Sequence, residues 1–151
     1  MLHEKELDPD VETLALTLAR TQRAESAELS GWLLGHGQPA SPASASPPVG
    51  EAGASGANVD GAATAEQVRA LEREDGELAG QLYLQLMTRH HQGALAAADE
   101  EAARGQDPTL VEIARRIIGT QQPQLEDIER SSSAVASVPG LTPPSGQVPP
   151  R

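Results

Sequence analysis

The chain has 151 residues, with 22 acidic against 11 basic side chains, a formal net charge of −11 and no cysteine. These values exclude a phosphate-binding surface of clustered Lys and Arg, a disulfide framework and thiolate chemistry. The only aromatic residues are Trp32 and Tyr83. A core therefore has to come from Leu, Ile, Val and Ala, a mixture that suits helices and predicts an all-α fold. Such a core is thin, and thin cores are marginal without a metal, a partner or oligomerisation.

The opening "MLHEKELDPD" has no apolar segment of the kind a signal peptide carries. No run approaches the roughly 18 apolar residues of a membrane span. As written, the residues predict a chain without a membrane span, located in the cytoplasm, with no affinity for nucleic acid.

The first helix is expected from about Asp8 to Leu34. Asp8 is placed to cap it and Pro9 to occupy its first turn, while Gly35 and Gly37 are stop signals. Val11, Leu14, Leu18, Gln22, Leu29 and Leu33 fall near one face. Residues 38–63 are Pro, Ala, Ser and Gly with almost no large apolar side chain, and read as a flexible linker. Thr64 and Gln67 fit a capping box that opens a short helix ending near "EDG". A long helix follows from about Glu74 to Arg104, with Leu78, Leu82, Leu86, His90, Ala94 and Ala97 as its expected apolar stripe and Gly105 as its stop. The last helix opens at Asp107-Pro108 and carries Leu110, Ile113, Ile117, Leu125 and Ile128. Pro123 inside it predicts a kink over residues 119–123. From Ser131 the chain reads as a disordered tail. The expected division is thus 1–37, the linker 38–63, a helical unit 64–130 and the tail 131–151.

"DPDVETLALTLARTQRAESAEL" from Asp8 aligns without a gap on "DPTLVEIARRIIGTQQPQLEDI" from Asp107, at an offset of 99 residues. Asp-Pro opens both segments and Thr-Gln recurs at the same place, which apolar periodicity alone does not require. The alignment suggests a duplication, with Gln22 matched to Gln121 and Glu25 matched to Gln124. In the second copy a long helix precedes Asp-Pro. In the first only "MLHEKEL" does, so the first unit is expected to have lost its first helix, either by truncation or because the true start lies upstream of Met1. A lone chain would leave an apolar face of the first helix uncovered, which predicts a homo-oligomer or a second chain over it.

The stretch "YLQLMTRHHQGALAAA" (Tyr83–Ala98), with "TQQPQLEDI" (Thr120–Ile128) and "TQRAESAELSGWL" (Thr21–Leu33), resembles the bacterial family known as the domain of unknown function DUF305. That resemblance implies a ferritin-like bundle of two helical hairpins, here incomplete, with about three main helices and a short one. It also implies copper binding or copper tolerance, usually outside the cytoplasm. Against the family pattern, Leu86, Ala97, Leu29 and Ile128 stand where Met is usual, and Gln124 stands where Glu is usual.

Adjacent helical residues point about 100° apart, so His90 and His91 cannot chelate one ion as an i, i+4 pair does. Met87 lies within reach of either ring. One reading makes His90, His91 and Met87 a ligand set for a copper ion, with Gln22, Glu25 and Gln121 as supporting groups. Asp99 or Glu25 would complete a harder shell for Cu(II) or Zn(II). The other reading places His90 on the apolar stripe, hydrogen-bonded to Gln22 or Gln121, in a non-catalytic structural or interaction module that holds no metal. The Glu-x-x-His motif of di-iron oxidases is missing, since Met87 and Thr88 stand three residues before the histidines, and an enzyme is not expected.

Overall fold

The computed structural model describes residues 7–38 and 61–136. Most of the expected linker, and residues 137–151 of the expected tail, lie outside them. Within the described residues the chain forms four helices: α1 (Pro9–Gly35), α2 (Ala65–Arg73), α3 (Gly76–Arg104) and α4 (Pro108–Ala136).

The ends of α1 follow the sequence signals. Asp8 accepts the N–H of Asp10 at 2.9 Å, and Pro9 begins the helix, where a missing N–H costs no bond. At the other end Gly37 turns left-handed at φ 69°, and the N–H of Gln38 donates back to the Leu33 carbonyl. This Schellman closure satisfies carbonyls that the helix leaves without a partner. The capping box at Thr64 and Gln67 is closed in both directions. Asp107 caps α4 through the N–H of Leu110 at 2.9 Å.

One expectation for α4 changes. The helix continues through Pro123, the proline expected inside it. The carbonyl that loses its bond belongs to Gly119, and Gly119 is exposed, so water can take the place of the missing N–H. The helix also continues to Ala136 rather than giving way to a tail at Ser131. Val135 is buried, and the hydroxyls of Ser132 and Ser133 donate back to the carbonyls of Ile128 and Glu129. One apolar anchor extends the helix past its run of serines.

Helices α3 and α4 form a hairpin, α1 packs along it and α2 lies on α3. Two apolar clusters make the core. The larger unites Val11, Leu18, Leu71, Tyr83, Leu84, Met87, Ile128 and Val135. The smaller unites Ala98, Ile113, Ala114 and Ile117, with Leu29 and Trp32 against it. Val11, Ala15 and Leu18 of α1 are thus buried inside the chain, while Leu16 and Leu34 stay exposed.

Gly61 fixes where the segment before α2 crosses α3. Its φ is +92°, and a Cβ there would stand 2.4 Å from the Arg89 carbonyl oxygen. Gly61→Ala is therefore expected to lift this crossing and expose Ala63, which is buried. Faster amide exchange over residues 61–71, with α4 unchanged, is the expected result. Unchanged exchange would contradict the contact.

Candidate functional site

A polar layer separates the two apolar clusters on all three long helices. On α1 it falls between Leu18 and Leu29, at Gln22 and Glu25. On α3 it falls between Leu84 and Ala98, at His91. On α4 it falls between Ile117 and Ile128, at Gln121 and Gln124. His91 is 0% exposed and Gln121 4%, the two buried polar side chains of the described core.

His91 is held at both ring nitrogens. Nδ1 lies 2.9 Å from the Met87 carbonyl, one turn back, and Nε2 lies 3.2 Å from Gln124 Oε1. A carbonyl can only accept, so Nδ1–H donates and a neutral ring carries its lone pair on Nε2. Such a ring is matched at Nε2 only if the Gln124 amide turns its NH₂ end to it in place of the Oε1 that faces it. Gln22 sends its amide N–H toward the Met87 sulfur at 3.9 Å, and Gln121 donates to Glu25 Oε2 at 2.6 Å. Glu25 Oε1 and Gln121 Oε1 are buried without a hydrogen-bond partner, as is Glu77 Oε1 at the start of α3.

Burial raises the Glu25 carboxyl above its ordinary value, and the Gln121 bond and the nearby His91 only partly oppose this. A proton on Oε1 would make a donor for which Gln121 Oε1 is an unpartnered acceptor on the same pair. The folded state thus holds this proton more tightly than the unfolded chain. The stability it contributes is complete below the unfolded carboxyl pKa of about 4.3 and is lost as pH rises through the higher folded value. Wild type should therefore lose stability relative to Glu25→Gln as the pH rises above about 4. Urea denaturation over that rise in pH checks it, and a relative gain would contradict it.

The expected histidine was the wrong one of the pair. The buried face of α3 runs through Leu84, Met87, His91, Leu95 and Ala98, about one residue out of phase with the expected stripe, of which Leu86 is buried while Leu78 is 44% exposed. His91 is the core residue, and its partner is Gln124, with Gln22 on Met87 and Gln121 on Glu25. His90 is half-buried, its ring edge-on to His91 with centroids 5.8 Å apart. Burial and the neighbouring His91 lower its pKa below the usual histidine range, so it is neutral at pH 7. Asp99 is exposed and away from the layer. Gln124, noted in the sequence only as a departure from the family pattern, is the residue facing the imidazole. A separate hollow, lined by Thr64, Gln67, Arg89 and Gln92 among others, contains neither His91 nor Met87.

The polar residues that form the layer come from the segments the resemblance rests on. The family described as "Domain of unknown function (DUF305)" matches residues 1–131. The chain belongs to the DUF305 family. A DUF305 structure from Streptomyces coelicolor, named as a candidate secreted protein, is similar with a TM-score of 0.72 at 27% identity, over 89% of this chain and 80% of that one. A DUF305 fragment from Deinococcus radiodurans is similar with a TM-score of 0.69 at 29% identity, over 84% of this chain and 78% of that one. A search of curated proteins gives no match. As in the sequence reading, this DUF305 chain is all-α, and no described helix is long and apolar enough to cross a membrane.

Proposed function

We propose that this DUF305 protein binds one transition-metal ion, copper in the first instance, in the polar layer between α1, α3 and α4. The observation that carries the reading is the placement of His91, fully buried with Nδ1 on the Met87 carbonyl. A ring whose Nδ1–H is bonded to a carbonyl presents Nε2 as a ligand of set direction. The donor chemistry fits a soft ion: imidazole from His91 and thioether from Met87, with His90 as a neutral imidazole at the rim. The unpartnered buried oxygens of Glu25 and Gln121 also point to a layer whose polar capacity is not filled. Among the described residues no three His, Cys, Asp or Glu stand together, so a carboxylate-rich Zn(II) or Cu(II) site has less support. Sequestration or tolerance is the role that follows, and the likeness to a candidate secreted protein favours an extracytoplasmic setting.

One observation favours a second reading. Gln124 already occupies Nε2 of His91, as it would in a structural or interaction module that uses the layer to fix helix register. Titration of the pure protein with Cu(I), Cu(II) and Zn(II), beside a His90→Ala/His91→Ala double variant, separates the two. The metal reading expects stoichiometric binding by the wild type alone. Equal binding by both proteins leaves the structural module.

A further inference from the structure

Where α1 ends against the start of α4, three side chains meet that the polar layer does not use. Trp32 and His36, one turn apart on α1, stack with ring centroids 4.2 Å apart and 25° between their planes. Asp107 faces both from the turn before α4. Its Oδ1 receives the indole N–H at 3.4 Å, and its Oδ2 lies 3.5 Å from His36 Nε2. The same Oδ1 caps α4 through the N–H of Leu110 at 2.9 Å. His36 Nδ1 lies 2.8 Å from the Trp32 carbonyl oxygen. Both ring nitrogens thus face oxygens that can only accept, a carbonyl and a carboxylate. A neutral imidazole has one N–H and satisfies one of them, whereas the imidazolium satisfies both.

The helix ends favour the same state. A cation is stabilised at the C-terminus of α1, whose last turn holds no basic residue, and an anion at the N-terminus of α4. Asp107 keeps its charge at mildly acidic pH, because the N–H of Leu110 above all holds its carboxyl below the ordinary aspartate value. Among the described charged groups, Asp107 is the one that meets the ring. Glu28, further back on α1, pairs instead with Arg116 of α4, which also holds Glu112.

We infer that Trp32, His36 and Asp107 form a pH-sensitive clasp: a proton on His36 closes the end of α1 onto the start of α4, and its loss releases them. Trp32 also packs on the smaller apolar cluster of Ala98, Ile113, Ala114 and Ile117, so release loosens that end of the core.

Amide exchange over residues 32–38, normalised to the intrinsic rate at each pH, tests this in wild type, His36→Gln and Asp107→Asn. Asparagine caps a helix as well as aspartate does, and its carbonyl still accepts the indole N–H, so the second variant removes the charge and little else. Wild-type protection is expected to rise about two- to fivefold between about pH 8 and about pH 5, the interval in which histidine gains its charge and the scale of a partly exposed ion pair. Both variants should lose more than half of that rise. Glu25 titrates in all three proteins, so the difference between them belongs to the clasp. Salt gives a second reading that needs no variant: about 1 M NaCl should flatten the wild-type rise. A wild type that gains no more protection than His36→Gln overturns the inference. So does Asp107→Asn keeping most of the rise, or a wild-type rise that salt leaves unchanged.

Discussion

Replacing His91 with alanine should destabilise the fold by about 3 kcal/mol or more, while the same change at His90 stays within about 1 kcal/mol. The two residues are neighbours in sequence and share a chemistry, so the contrast isolates their places in the bundle. His91 is 0% exposed, and its removal opens a cavity on α3 and leaves the Gln124 amide facing it. His90 is half-buried at the rim. Urea denaturation of the two single variants measures the difference. Equal losses would place both rings in the same environment, contrary to the layer described above. On the metal reading, the same His91 variant should also bind no ion, because that reading makes Nε2 the directed donor.

Ile128→Ala should cost about 2–5 kcal/mol, enough to leave a bundle with so thin a core largely unfolded at 37 °C. Ile128 is 0% exposed and closes the larger apolar cluster against Leu84, Met87 and Tyr83. It also sits one turn from Gln124, so the loss of packing would reach the polar layer. Ile128→Val should cost about 1 kcal/mol, and Ile118→Ala, on a partly buried position of α4, should be the milder alanine variant. Thermal melts order the three, and an Ile128→Ala protein that melts with the wild type would contradict the core assignment.

Much of this fold is legible in the residues. Asp8-Pro9, Thr64 with Gln67, Gly37, Gly105 and Asp107-Pro108 each carry a local mechanism for starting or stopping a helix, and the structure uses them at those places. What local signals do not carry is the phase of α3. Its segment "GELAGQLYLQLMTRHHQGALAAADEEAAR" has Leu and Ala on several faces, so two stripes one residue apart are nearly equal in hydrophobicity. The choice between them is made by α4 and α1, which bury Tyr83, Leu84, Met87 and His91 and turn Leu78 outward. That choice decides which histidine is the core residue. Glutamine partners are hidden for the same reason: Gln22, Gln121 and Gln124 lie far from His91 in sequence, and only packing assigns one amide to the ring, one to the sulfur and one to Glu25. The end of α4 is missed because serines obscure Val135, whose burial carries the helix onward.

The metal reading turns on whether His91 Nε2 and Met87 Sδ meet one ion. The direct measurement is X-ray absorption at the copper edge on the Cu(I) complex of the whole chain at one equivalent. The account predicts sulfur and imidazole scatterers in the wild type, with loss of the sulfur in Met87→Leu and loss of the bound copper in His91→Leu. A wild-type spectrum of oxygen and nitrogen donors alone, unchanged by either substitution, would contradict it.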